Sequence, residues 1–291
     1  VRIEGNAINA LNISAMGGTA NAAGGQGRVA VYYQGTINGV SSSPAAYVAR
    51  LGLAPSPTPT PTSIATPAWQ SWGTGQDGDL TVNAGQTFNL STHTQNSSRT
   101  CLQGGDALAY SVFELSGFYA RVSPAPAANC LSAGDEVMLI NMQGLSSNFS
   151  NTGNFEFLQV GSVTGDRVTF ITQKVRNYGA NSGDDSNIGT GTGQQRVMLV
   201  RVPNYRNVVI DGSLTSNSWN GFRYGAMVFR VSGTLTGAGT ISMHGAGYRG
   251  GQPNQIGENQ TGYGGYYGGG FPGGMTSCCH TYGGGGAYGT N

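Results

Sequence analysis

The groups from which any chemistry would have to be built are few: four cysteines (Cys101, Cys130, Cys278 and Cys279), three histidines and 13 acids in 291 residues. His93, His244 and His280 lie in unrelated segments and read as turn or surface residues. Cys278-Cys279-His280 holds soft ligands, but zinc sites space their cysteines by two or more residues. Asp77-Gly78-Asp79 and Asp184-Asp185 lack the oxygen ladder of a calcium loop and read as Asx turns. Glycoside hydrolysis needs two carboxylates about 5–10 Å apart, and no segment presents such a pair with basic or aromatic neighbours. A polysaccharide-lyase arrangement would have to draw on Asp211, Arg223 and Arg230. No nucleophile elbow or dinucleotide fingerprint occurs, and the glycines at 264–274 lack the strand-to-helix context of a phosphate loop. The expectation is a chain that is not an enzyme, with no cofactor and no bound metal.

The cysteines instead suggest a setting. An even count with few charges and many Ser, Thr and Asn residues points to an oxidising, extracellular or cell-surface location. Cys101 and Cys130 are expected to bridge, closing a loop of about 30 residues worth roughly 3–4 kcal/mol. Cys278 and Cys279 cannot form an ordinary bridge to each other, so strained or inter-subunit pairing both stay open. Charged residues make up 9% of the chain, against roughly 25% in an average soluble protein. With a net charge of +1 and no basic stripe, nucleic acid is excluded as a partner. No 18-residue apolar run exists to cross a membrane as a helix. The opening at Val1 reads as the result of removing a leader or a longer N-terminal region.

The elements that would have to position these residues are all β. Residues 1–50 give short strands around Val1, Ile3, Ile8, Leu11 and Ile13, and again at Val29, Val31 and Tyr33, separated by glycine turns. Residues 51–75 are a Pro/Thr-rich linker of extended polyproline type, whose Ser56, Thr58, Thr60 and Thr62 are O-glycosylation candidates. Residues 76–207 read as a central β-sandwich-like or barrel-like domain of short alternating strands, with a hairpin turn at Gly165-Asp166. Residues 208–291 form a glycine/tyrosine-rich block. Its strands recur about every 20 residues with glycine corners, as in a β-solenoid or β-helix. Asn-x-Ser/Thr sequons stand at Asn12, Asn89, Asn96, Asn148 and Asn259.

The runs Gly134-Asp135-Glu136-Val137-Met138-Leu139-Ile140-Asn141-Met142-Gln143-Gly144 and Gln195–Tyr205, with the glycine-rich strands after Gly225, resemble large secreted, glycine-rich bacterial surface or sheath proteins. The resemblance covers residues 75–291 and implies a surface role with no catalytic residues. The ends add a second expectation. The N-terminal strands look like the closing strands that the C-terminal block lacks, and the linker gives them reach. Residues 1–40 are therefore expected to complete a neighbouring copy, building a head-to-tail filament, tube or sheath whose partners are other copies of the chain. The alternative is a surface adhesin or carbohydrate-binding module using Trp69, Trp72, Trp219 and the tyrosines against surface glycans.

Overall fold

The computed structural model describes residues 1–9, 11–15, 29–50, 73–95, 99–145, 148 and 150–247, together with two short strands at 275–276 and 280–281. The vicinal cysteines Cys278 and Cys279, the linker residues Ser56, Thr58, Thr60 and Thr62, and Trp69 and Trp72 lie outside the described residues.

The chain opens with β1 (Arg2–Asn9), β2 (Asn12–Ser14), β3 (Ala30–Tyr33), β4 (Ile37–Asn38), β5 (Ser41–Ser43) and β6 (Tyr47–Arg50). It continues with β7 (Leu80–Val82) and β8 (Thr87–Asn89), then β9 (Ala109–Ser116), β10 (Tyr119–Ser123), β11 (Glu136–Gln143), β12 (Phe155–Thr164), β13 (Arg167–Phe170) and β14 (Arg196–Val202). β15 (Asn204–Tyr205), β16 (Val208–Ile210), β17 (Ser213–Thr215), β18 (Val228–Thr236) and β19 (Thr240–Ser242) follow, with β20 (Met275–Thr276) and β21 (His280–Thr281) as a separate antiparallel pair. No helix occurs among the described residues.

Two all-parallel sheets form a solenoid. One runs β6-β3-β1-β18-β16-β7 and the other β5-β2-β19-β17-β8. Among the described residues, β7/β8, β16/β17, β18/β19, β1/β2 and β3/β5 each place one strand in each sheet, and like residues stack from coil to coil. Leu80, Val208, Leu235, Ile8 and Ile37 form one column, and Phe88, Leu214, Ile241 and Ile13 another. These side chains share one buried cluster between the sheets. Burial alternates along these strands, with Val208 and Ile210 in the cluster and Val209 between them turned away, as in Leu80-Thr81-Val82. The corners need glycine because adjacent coils touch there through their backbones. A Cβ on Gly237, whose φ is 127°, would lie 2.0 Å from the Ile210 carbonyl oxygen. The coil is longer than the period of about 20 expected from the sequence. Asn207 and the Thr234 it bonds are 27 residues apart, and Asn9 and Asn38 are 29 apart, because segments outside the sheets lengthen each turn.

The N-terminal strands pair within their own chain. β1 lies between β18 and β3 in parallel register, Ile3 opposite Phe229 and Val31, and Ile13 opposite Ile241. Ile3, Ile8, Leu11, Ile13, Val29 and Val31 are buried there, with Val1 and Tyr33 packed at the margin. The strand exchange with a neighbouring copy is thereby corrected: these strands do complete the C-terminal block, but in cis. β7 and β8 also belong to the solenoid rather than to the central domain, since Leu80 and Phe88 continue its apolar columns.

Between β8 and β15 the chain leaves the solenoid to form a closed antiparallel barrel, β10-β13-β12-β11-β14-β9. Of the two central architectures expected, the barrel is the one formed, and closure leaves it no sheet edge. Gly165, at φ 59°, makes the turn between β12 and β13. Every residue of β11 and β14 is buried. Val137, Leu139, Val197 and Leu199 fill the barrel, while Met138, Ile140, Met142, Met198 and Val200 face outward onto Trp219 and Val228. The barrel is thus packed against the solenoid through its outer wall.

Candidate functional site

Polar and exposed residues gather at the barrel–solenoid junction, in the disulfide loop beside it and on the coil that ends in β6, as well as on the barrel's outer wall.

At the junction, Arg201 from β14 is fully buried and donates through Nη2 to both oxygens of Asp77 (2.6 and 2.9 Å) and to Asp135 Oδ1 (3.0 Å). Its Nη1 donates to the Asp106 carbonyl at 3.0 Å. Burial works against this guanidinium, but Asp77 and Asp135 hold its proton more tightly than usual. Asp135 is likewise pushed up by burial, and Arg201 and Arg99 overcome that and hold it below the ordinary carboxylate range. Arg99 donates to Asp135 at 2.6 and 3.0 Å. A second group sits between β1, β11 and β18. Arg230 forks onto both oxygens of Glu136 (2.6 and 2.5 Å) and also donates to Glu4, which accepts from Arg2 at 2.8 Å. Burial pushes the Glu136 carboxyl up, to about 7, against the Asn204 hydrogen bond and the nearby Arg2 charge, which pull it down. Arg230 lies 4.8 Å from the Phe157 ring centroid, and Arg2 lies 4.1 Å from that of Tyr32. Asn204 joins the two groups, its backbone N–H reaching Asp77 and its side chain Glu136. These ions orient the barrel on the solenoid. Each carboxylate named here is occupied by arginine.

The disulfide expected from the sequence is formed between Cys101 and Cys130. It ties the segment before β9 to the segment before β11, next to Arg99, which donates to the Asn129 carbonyl at 3.3 Å.

The acids and cations singled out in the sequence do not converge. Asp77 pairs with Arg201, whereas Asp79 pairs with Arg206, which holds its carboxyl down at about 2. Asp184 caps its own turn by accepting from Asn181 and Ser186, and Asp185 pairs with Lys174. Asp211 accepts from the Ala238 N–H, Arg223 donates to the Ala109 carbonyl, and Arg230 is held by Glu136 and Glu4, so the three lyase-type residues are separately engaged. Among the described residues no three His, Cys, Asp or Glu side chains gather as metal ligands. Trp219 is buried against the barrel wall and presents no face for a sugar. The Asn89 side chain, in a sequon, is engaged with Asn217 and the Ser91 N–H.

The coil that ends in β6 behaves differently. β6 pairs with β3 on one side, and among the described residues no strand pairs with its other edge. Val48 continues the interior column Phe229, Ile3, Val31. It is 47% exposed, however, and its neighbour Tyr47 is 59% exposed. The Tyr47 N–H donates to the Val29 carbonyl at 2.8 Å. Alternation along a parallel ladder therefore turns the Val48 N–H and C=O outward. Sequence reasoning did not single out Tyr47 or Val48, although Tyr47-Val48-Ala49 is a short apolar run directly before the Pro/Thr-rich linker.

No protein-family model matches the chain, and neither does any curated protein sequence. Among solved structures it is similar to the tailspike protein gp49 of Pseudomonas phage LKA1, at 13% identity and a TM-score of 0.23. It is also similar to the Gp54 tailspike of Acinetobacter baumannii bacteriophage AP22, solved in complex with A. baumannii capsular saccharide, at 10% identity and a TM-score of 0.23. Each alignment covers 81% of this chain but only 25% and 29% of the respective tailspike, so the chain spans less than a third of their length. Both likenesses are distant, and the all-β, stacked-strand fold rests on the register described above.

Proposed function

We propose that the protein is an extracellular structural subunit that joins further copies of itself through the end coil of its solenoid, in a filament, tube or sheath. The observation that carries this reading is the edge of β6 that no strand pairs with among the described residues, where a valine of the interior column is half exposed. A solenoid coil is stabilised by the coil above it, and an uncovered one is a template for strand addition. The low charge of the chain leaves little repulsion between copies. In-register polar pairs, Asn38 on Asn9 and Ser41 on Asn12, give the outer surface a ladder that a further coil would extend. The disulfide supports an oxidising location. The role is non-catalytic, in keeping with the arginine pairing of the junction carboxylates Asp77, Asp135 and Glu136.

The test is Val48→Pro, which removes an outward N–H while leaving the Tyr47 and Ala49 pairing to β3 in place, with Val48→Lys as a second edge block. The parent protein should form oligomers that grow with concentration, read by light scattering and negative-stain microscopy. Both variants should be monomeric with unchanged circular dichroism. A parent that stays monomeric at high concentration, or variants that assemble equally well, would overturn the proposal.

A further inference from the structure

On the barrel's outer wall, away from the solenoid, four strands carry two adjacent rows of polar side chains. The strand register places Glu114, Arg121, Arg167 and Thr164 in one row, and Ser116, Tyr119, Thr169 and Ser162 in the next. The rows are knitted together. The Tyr119 hydroxyl donates to Glu114 Oε1 at 2.7 Å, and Arg121 grips both oxygens of Asp166 at 3.1 and 2.9 Å. Ser162 and Thr169 share a hydrogen bond of 2.8 Å. Arg167 lies 3.9 Å from the Tyr119 ring centroid and Arg121 lies 5.4 Å from that of Phe113. Phe113 and Phe118 are exposed at the border of this array.

Such an array does little for stability, because exposed ion pairs contribute between nothing and about 1 kcal/mol. It is nevertheless concentrated on a surface that is otherwise poor in charge. It is also held in place before any ligand arrives, which lowers the ordering cost of binding. We infer that this face binds a neutral polysaccharide chain. Two arginines and two carboxylates balance, so the face carries no net attraction for a polyanion. Guanidinium and carboxylate groups pair with the vicinal hydroxyls of a sugar through two parallel hydrogen bonds. The aromatic rings offer apolar area to the C–H faces of the same rings. The two rows run over four neighbouring strands of the closed barrel, so their contacts are spread around a convex wall, suited to successive residues of an extended chain rather than a single sugar.

The test is affinity electrophoresis of the full chain through gels containing hydroxyethyl cellulose, galactomannan or polygalacturonate, with Tyr119→Ala, Arg121→Ala and Val48→Pro compared. At least one neutral polymer should retard the parent and Val48→Pro alike, and Tyr119→Ala and Arg121→Ala should each weaken retention at least tenfold. Melting temperatures should show all variants folded, and Tyr119→Phe, which keeps the ring, should retain most of the binding. No retardation by either neutral polymer, retention only by polygalacturonate, or retention unchanged in the Tyr119 and Arg121 variants would each overturn the inference. Because the assembly test uses Val48, the two readings fail independently.

Discussion

Arg201 shows how much of the architecture depends on single charged residues. It is buried between barrel and solenoid, bridging Asp77 and Asp135. Removing it would leave the buried Asp77 and Asp135 to share Arg99 alone. Arg201→Ala should therefore cost about 3–5 kcal/mol in urea unfolding, because stripping one partner from a buried ion group leaves the desolvation of the others uncompensated. The triple change Arg201→Met, Asp77→Asn, Asp135→Asn should recover much of that loss. A single-variant cost below about 1 kcal/mol would mean that water reaches the junction. None of this was legible in the sequence, where Asp77 and Arg201 stand 124 residues apart. The segment Asp77-Gly78-Asp79 read as an Asx turn, and spacing carries no trace of a partner that tertiary contact alone supplies.

At the scale of elements the sequence was more informative. The two apolar runs that carry the resemblance to secreted surface proteins are β11 and β14, which pair with Leu139 opposite Leu199. Their lack of alternation is explained by burial on both faces, inside the barrel and against Trp219 and Val228. What could not be read was the assignment of β7 and β8, because three-residue strands look the same in a barrel or a solenoid. The Cys101–Cys130 pair was readable from count and setting. It closes a segment of 29 residues, and Cys101→Ser with Cys130→Ser should lower stability by about 3 kcal/mol. Equal denaturation midpoints of the parent with and without reductant would contradict this.

For the whole molecule, the position of residues 1–50 changes the meaning of a truncation. Were they an arm donated to a neighbour, their deletion would leave a folded monomer unable to polymerise. Seated in cis, they cover Phe229 and Ile241 and supply Glu4 to Arg230. Deletion should therefore give a protein that binds a hydrophobic dye, loses cooperative unfolding and aggregates. A soluble deletion product with the parent's melting temperature would show that these coils are dispensable to the core.

The same arrangement sets the order in which the chain can be built. Glu4 and the Arg230 that receives it are separated by 226 residues, and the barrel is inserted between β8 and β15. During synthesis residues 1–50 emerge long before the β18 strand on which β1 must lie, so they are made early and seated late. Contacts this distant in sequence slow folding, and apolar strands waiting for a partner are exposed to aggregation in the meantime. A chain of this topology gains from keeping the strands of residues 1–50 unpaired and soluble until β18 has been made.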